Sequence, residues 1–115
     1  MSPTLGVQLK KTLEGSLQEG FDAFLPRYQR LLLRHAKDGA PYLSLAIETP
    51  SRHVAAAMLT GWLQEQGVGA HAENFGIDGR AVVVYLHSPA GTCRSLPQYV
   101  VSRKWQIGKI HDIEL

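Results

Sequence analysis

A chain of 115 residues with 44% apolar and 19% charged residues is the size and composition of one globular domain, which excludes a disordered chain. The formal net charge of +2 is too small to mark a polyanion binder by itself, and the single cysteine, Cys93, excludes an internal disulfide. The N-terminal residues Met1 to Gly6 lack a basic run followed by an apolar core, and no apolar run reaches the roughly 20 residues that span a bilayer. The expectation is a cytoplasmic protein that does not use a membrane.

The charge is segregated. Residues 1–37 carry six basic and three acidic side chains, residues 38–79 one basic and five acidic. Residues 80–111 hold Arg80, Arg94, Arg103, Lys104 and Lys109 and no acid. An acid-free third of a chain can build a basic surface for an anionic partner, or it can scatter its charges over two sheet faces and an edge.

Residues 8–37 read as helix. Leu9, Leu13, Leu17, Phe21, Phe24, Leu25, Tyr28, Leu31, Leu32 and His35 recur at three- and four-residue steps, stacking on one face. Gly20 and Pro26 interrupt the run. An interior proline costs about 3 kcal/mol, so two helices or one kinked helix are expected, with the break between Gly20 and Pro26. Ser16 to Glu19 has the spacing of a capping box and is a place for a restart. Asp38-Gly39-Ala40-Pro41 is a stop.

Tyr42 to Glu48 alternates as a strand, with Leu43, Ala46 or Leu45, and Ile47 inward. Thr49-Pro50-Ser51 opens a helix that Thr49 or Ser51 can cap. Its stripe is Val54, Ala55, Met58, Leu59, Trp62, Leu63 and Gln66, and Gly67 ends it. Ala56, Ala57, Thr60 and Gly61 lie on the other side, small enough to admit a second element or another copy of the chain. Val68 to Phe75 is a weaker strand, and Asp78-Gly79 a hairpin signal.

Residues 80–87 form the clearest strand. Ala81, Val83 and Tyr85 face one way and Val82, Val84 and Leu86 the other, so both faces are expected to be covered. A dimer partner or a ligand is one source of the second cover. Ser88 to Pro97 reads as loop and Gln98 to Gln106 as a strand. A turn at Ile107-Gly108 then returns the chain through Lys109 to Leu115. The fold class is α+β. An N-terminal helix pair, a strand and a helix precede an antiparallel sheet of about four further strands, with helices on one face.

In element order, size and the tail Gln98 to Ile110, with its Gly108-Lys109-Ile110 turn, the chain resembles the nuclear transport factor 2 / SnoaL-like superfamily. That resemblance implies a cone in which helices close over a bent sheet and leave a pocket. Residues 42–75 depart from it and read as a compact βαβ unit, as in a ferredoxin-like sandwich.

Several residues can carry chemistry. Arg52 and His53, in the first turn of the middle helix, can join free backbone N–H groups in holding a phosphate, sulfate or carboxylate. Tyr85 and His87 share a strand face and His71 lies on the neighbouring strand, so the three are candidates to line a ligand pocket. The five histidines show no metal-ligand spacing, and no motif implies a metal or cofactor. Cys93 beside Arg94 lacks an identifiable base. Tyr99, Arg103, Lys104 and Trp105 interleave aromatics with cations, as single-stranded nucleic acid binders do, although alternation turns Trp105 toward the core. Three functions follow. The first is a non-enzymatic interaction module that forms a homodimer. The second is a SnoaL-like pocket protein binding or transforming a small apolar molecule. The third is a nucleic-acid binder using the basic 80–111 region. No reaction is assignable.

Overall fold

The computed structural model describes residues 4–39, 42–76, 79–89, 91–92, 96–102 and 105–109. In chain order these form helix α1 (Leu5–Lys37), strand β1 (Leu45–Ile47) and helix α2 (Arg52–Glu65). Strands β2 (Ala70–Phe75), β3 (Ala81–Ser88), β4 (Gly91–Thr92), β5 (Tyr99–Val101) and β6 (Ile107–Lys109) follow. The architecture is α+β, with both helices on one side of the sheet.

The expected break in α1 is not made. The helix runs unbroken for 33 residues with Pro26 inside it. Pro26 is exposed, so its ring lies on the solvent side of the helix, and one intrahelical hydrogen bond is missing there. The flanking Phe24 and Tyr28 are buried and stack with ring centroids 5.3 Å apart, which fixes the helix across the proline. Thr4 caps the start through its hydroxyl, 3.4 Å from the Val7 N–H, so the box at Ser16 does not serve as a start. Gly20 is no breaker either. A methyl group there would collide with the Trp105 indole, so glycine permits the close approach of helix and ring.

The sheet order is β2-β3-β1-β5-β6, with β4 paired to the end of β3. β3 is antiparallel to both β2 and β1, so β1 and β2 run parallel with β3 between them. This is a split βαβ unit, with α2 as the crossover. β5 runs parallel to β1, which makes the sheet mixed where an antiparallel one was expected. β5 and β6 pair antiparallel, with Ile107 and Gly108 in strand β6 rather than in a turn. Ser102 N–H donates to the Gln106 carbonyl at 2.9 Å, and Trp105 sits between the two strands at φ 57°. A left-handed backbone is costly for an aromatic residue. It is held because the indole reaches Phe21 and Phe24 on α1, at centroid distances of 5.2 and 5.1 Å.

Register sorts the core into two layers. Leu45, Ile47, Val82, Val84, Leu86 and Val101 share the parity that meets Phe21, Phe24 and Tyr28 of α1 and Ala55, Ala56, Leu59 and Leu63 of α2. The α2 stripe is therefore turned from its expected place. Ala56 lies inside, whereas Val54 is 52% exposed. Gly67 ends α2 as expected, at φ 81°. On the opposite face, Ala46, Ala81, Val83 and Val100 form a second cluster with Phe75 and Tyr85 against it. All four are at most 1% exposed in the single chain. β3 is thus shielded on both faces as expected, but its burial gives no argument for a partner copy or a ligand.

Candidate functional site

Period-2 geometry brings His71, Tyr85 and His87 together as the sequence suggests. His71 pairs directly with Tyr85 across β2 and β3, and His87 lies two residues further along the same face. His71 Nδ1 is 2.6 Å from His87 Nε2, and the His71 and Tyr85 rings stack at 5.4 Å. The sequence reading missed Glu73. It lies on the same face of β2, and its Oε2 is 3.2 Å from His71 Nε2. A carboxylate only accepts, so His71 Nε2 donates to Glu73, and the His71 Nδ1–His87 Nε2 contact is a hydrogen bond whose direction follows the tautomers of the two rings. Glu73 and His87 occupy opposite nitrogens of one ring and share no centre. Among the described residues no three His, Cys, Asp or Glu are gathered for a metal. The His71 and Glu73 side chains are 31% and 37% exposed, so water reaches this relay.

The second group surrounds the start of α2. Ser51 occupies the N-cap position but makes no side-chain bond to the helix, and Thr49 does not cap it either. The Thr49 hydroxyl is buried and has no partner, and Arg52 Nε is likewise enclosed and unpaired. The Arg52 N–H is taken by the Thr49 carbonyl and the Ala55 N–H by that of Ser51. The first-turn N–H groups between them, on His53 and Val54, lack an intrahelical acceptor by position. His53 is exposed. Thr49, Pro50 and Ser51 form one wall of a cleft of about 460 Å³, and Leu13, Ser16, Leu17, Glu19 and Gly20 of α1 form another, with Trp105 between.

The leucines leading into this cleft correct the sequence reading. Leu9, Leu13 and Leu17 were expected to share one helix face with Phe21, Phe24 and Tyr28, which are buried. Instead Leu5, Leu9 and Leu13 are 69%, 61% and 53% exposed, and Leu17 is half-buried. The cause is length. At 1.5 Å per residue α1 is about 50 Å long, close to the 56 Å extent of the whole molecule, and its core residues begin only at Phe21. The first four turns project beyond the sheet.

Of the basic set, Arg80 and Lys109 fall among the described residues. Both are exposed; Arg80 immediately precedes β3 and Lys109 ends β6, and β1 and β5 lie between those two strands. Arg94, Arg103 and Lys104, like Cys93, lie outside the described residues. A different cationic group was overlooked. Arg27, Arg30 and Arg34 surround a hollow of about 210 Å³ with Leu31, on one face of α1. Their three- and four-residue spacing was the available signal. No family model, curated protein or solved structure matches the chain.

Proposed function

We propose that the protein is a non-enzymatic interaction module that self-associates through the projecting half of α1. One observation carries this reading: the row of Leu5, Leu9 and Leu13, each more than half exposed on the part of α1 that precedes its first buried residue, Phe21. Contiguous apolar surface of this kind marks an association site.

A second copy suits the row because the segment is self-complementary. Lys10 and Glu14 lie on the same flank of the leucine face, one turn apart. In an antiparallel pair with Thr12 facing Thr12, Lys10 of each copy faces Glu14 of the other. Leu13 then faces position 11, midway between Leu9 and Leu13 of the second copy, so the side chains interdigitate. A two-fold pair of this kind closes on itself and does not polymerise.

Light scattering over a concentration series tests the reading. The wild-type chain is expected to pass from monomer to dimer, and Leu9→Glu with Leu13→Glu to remain monomeric with its circular dichroism unchanged. Lys10→Glu alone weakens the dimer and Lys10→Glu with Glu14→Lys restores it. A wild-type chain that stays monomeric at every concentration removes the proposal.

A further inference from the structure

We infer that the cleft between α1 and the start of α2 is a binding site for a small amphipathic oxyanion, a phosphate or carboxylate head on an apolar body. The head end is defined by groups left without partners. The N-terminus of a helix carries partial positive charge and aims its first N–H groups outward. In α2, a helix of 14 residues, no side chain caps that end. A helix start alone is no site, but here the adjoining Thr49 hydroxyl is only 6% exposed, has no hydrogen-bond partner and lines the cleft.

A buried hydroxyl without a partner is destabilising, and a sequence that keeps one beside an uncapped helix start is explained by an acceptor arriving from outside. An anionic oxygen is such an acceptor. Arg52, whose Nε is also enclosed and unpaired, does not line the cleft; it follows the lining residue Ser51, and its full positive charge acts on the head through space. That charge opposes the helix dipole in the free protein and is compensated once an anion is seated.

The body end is apolar. Leu13, Leu17, Pro50 and Trp105 line the rest of the cleft, whose volume of about 460 Å³ suits a ring or a short alkyl group and not a macromolecule. Glu19 stands on the α1 wall. It repels a charged head from that side, so the ligand has one orientation, head to α2 and body along α1 and Trp105.

The site is independent of self-association apart from Leu13, which borders both surfaces. Thr49 and Arg52 lie off the projecting half of α1, so their variants leave the dimer intact and the two readings fail separately.

The test is a titration of the full chain with phenyl phosphate, followed by ¹H–¹⁵N correlation spectra. Inorganic phosphate and benzyl alcohol are the head-only and body-only comparisons, and benzoate distinguishes a carboxylate head from a phosphate one. Binding is expected to move the backbone amide signals of His53 and Val54 and the indole N–H of Trp105 together. Phenyl phosphate or benzoate is expected to bind more tightly than either fragment. Thr49→Val keeps the shape of the side chain and removes the donor, and is expected to weaken the anion about tenfold, the worth of one hydrogen bond to a charged group. Arg52→Met is expected to do likewise, while neither variant changes the binding of benzyl alcohol. Shifts confined to Trp105 and equal for charged and neutral probes would overturn the anion assignment. Absence of any shift at millimolar phenyl phosphate and benzoate would overturn the site.

Discussion

Tyr28 has no exposure at all, and its hydroxyl has no partner. Burial pushes its pKa well above the ordinary tyrosine value. The unfolded chain releases this proton near pH 10 and the folded chain does not. Above pH 10 the unfolded state is therefore favoured, by up to about 1.4 kcal/mol for each pH unit. Tyr28→Phe is expected to stabilise the protein by about 1 kcal/mol at neutral pH, because the orphan hydroxyl is gone. It is also expected to flatten the alkaline loss. Urea denaturation of both chains at pH 7 and above pH 10 measures the two effects, and equal stabilities at every pH would show that the hydroxyl is satisfied.

Gly20 is the other residue whose role is set by a distant partner. Alanine gains about 1 kcal/mol of helix propensity over glycine, but here its methyl would meet the Trp105 ring. Overpacking of this kind costs about 1–3 kcal/mol. Gly20→Ala is expected to lower the melting temperature by several degrees, and a rise would place the indole elsewhere. The sequence reading took Gly20 for a break because only its neighbours on the helix were visible. The demand for glycine comes from a turn that brings Trp105 back to α1.

Among the elements, the local signals that located helices and strands did not set their extents. The Gly67 stop, the parity of β3 and the core position of Trp105 were legible, since each follows from backbone geometry over a few residues. Pro26 was misjudged because its penalty is local and the stacking of Phe24 on Tyr28 that offsets it becomes visible only in three dimensions. β1 reads as an alternating strand, yet all three of its residues are buried, because it lies between β3 and β5 with both faces covered. Position within a sheet is decided by which strands pair, and pairing is not written in the strand itself.

At the scale of the molecule, the two-sided burial of β3 makes the sheet intolerant of charge. Val83 has no exposure and belongs to the layer away from the helices. Val83→Asp places a carboxylate there without a partner, at a cost of several kcal/mol. That is a large part of the stability of a domain this small. Loss of a cooperative thermal transition is expected, and an unchanged melting temperature would mean that this face is wet. Of the candidate sites, the His71–Tyr85–His87 group was legible because strand alternation predicts shared faces. The cleft at Thr49 was only half legible. Arg52 and His53 pointed to the helix start, but the apolar walls come from Leu13, Leu17 and Trp105, far apart in the chain.

The clamp of Trp105 on α1 also has a bearing on how the chain is made. During synthesis α1 leaves the ribosome long before Trp105 is added, and β1 waits in the same way for β5. Until those late residues arrive, Phe21 and Phe24 have no indole to rest on and the middle of the sheet is open on one edge. The nascent chain cannot therefore mature piecewise from its first helix, and chaperones that bind bare aromatic surface have their longest opportunity there.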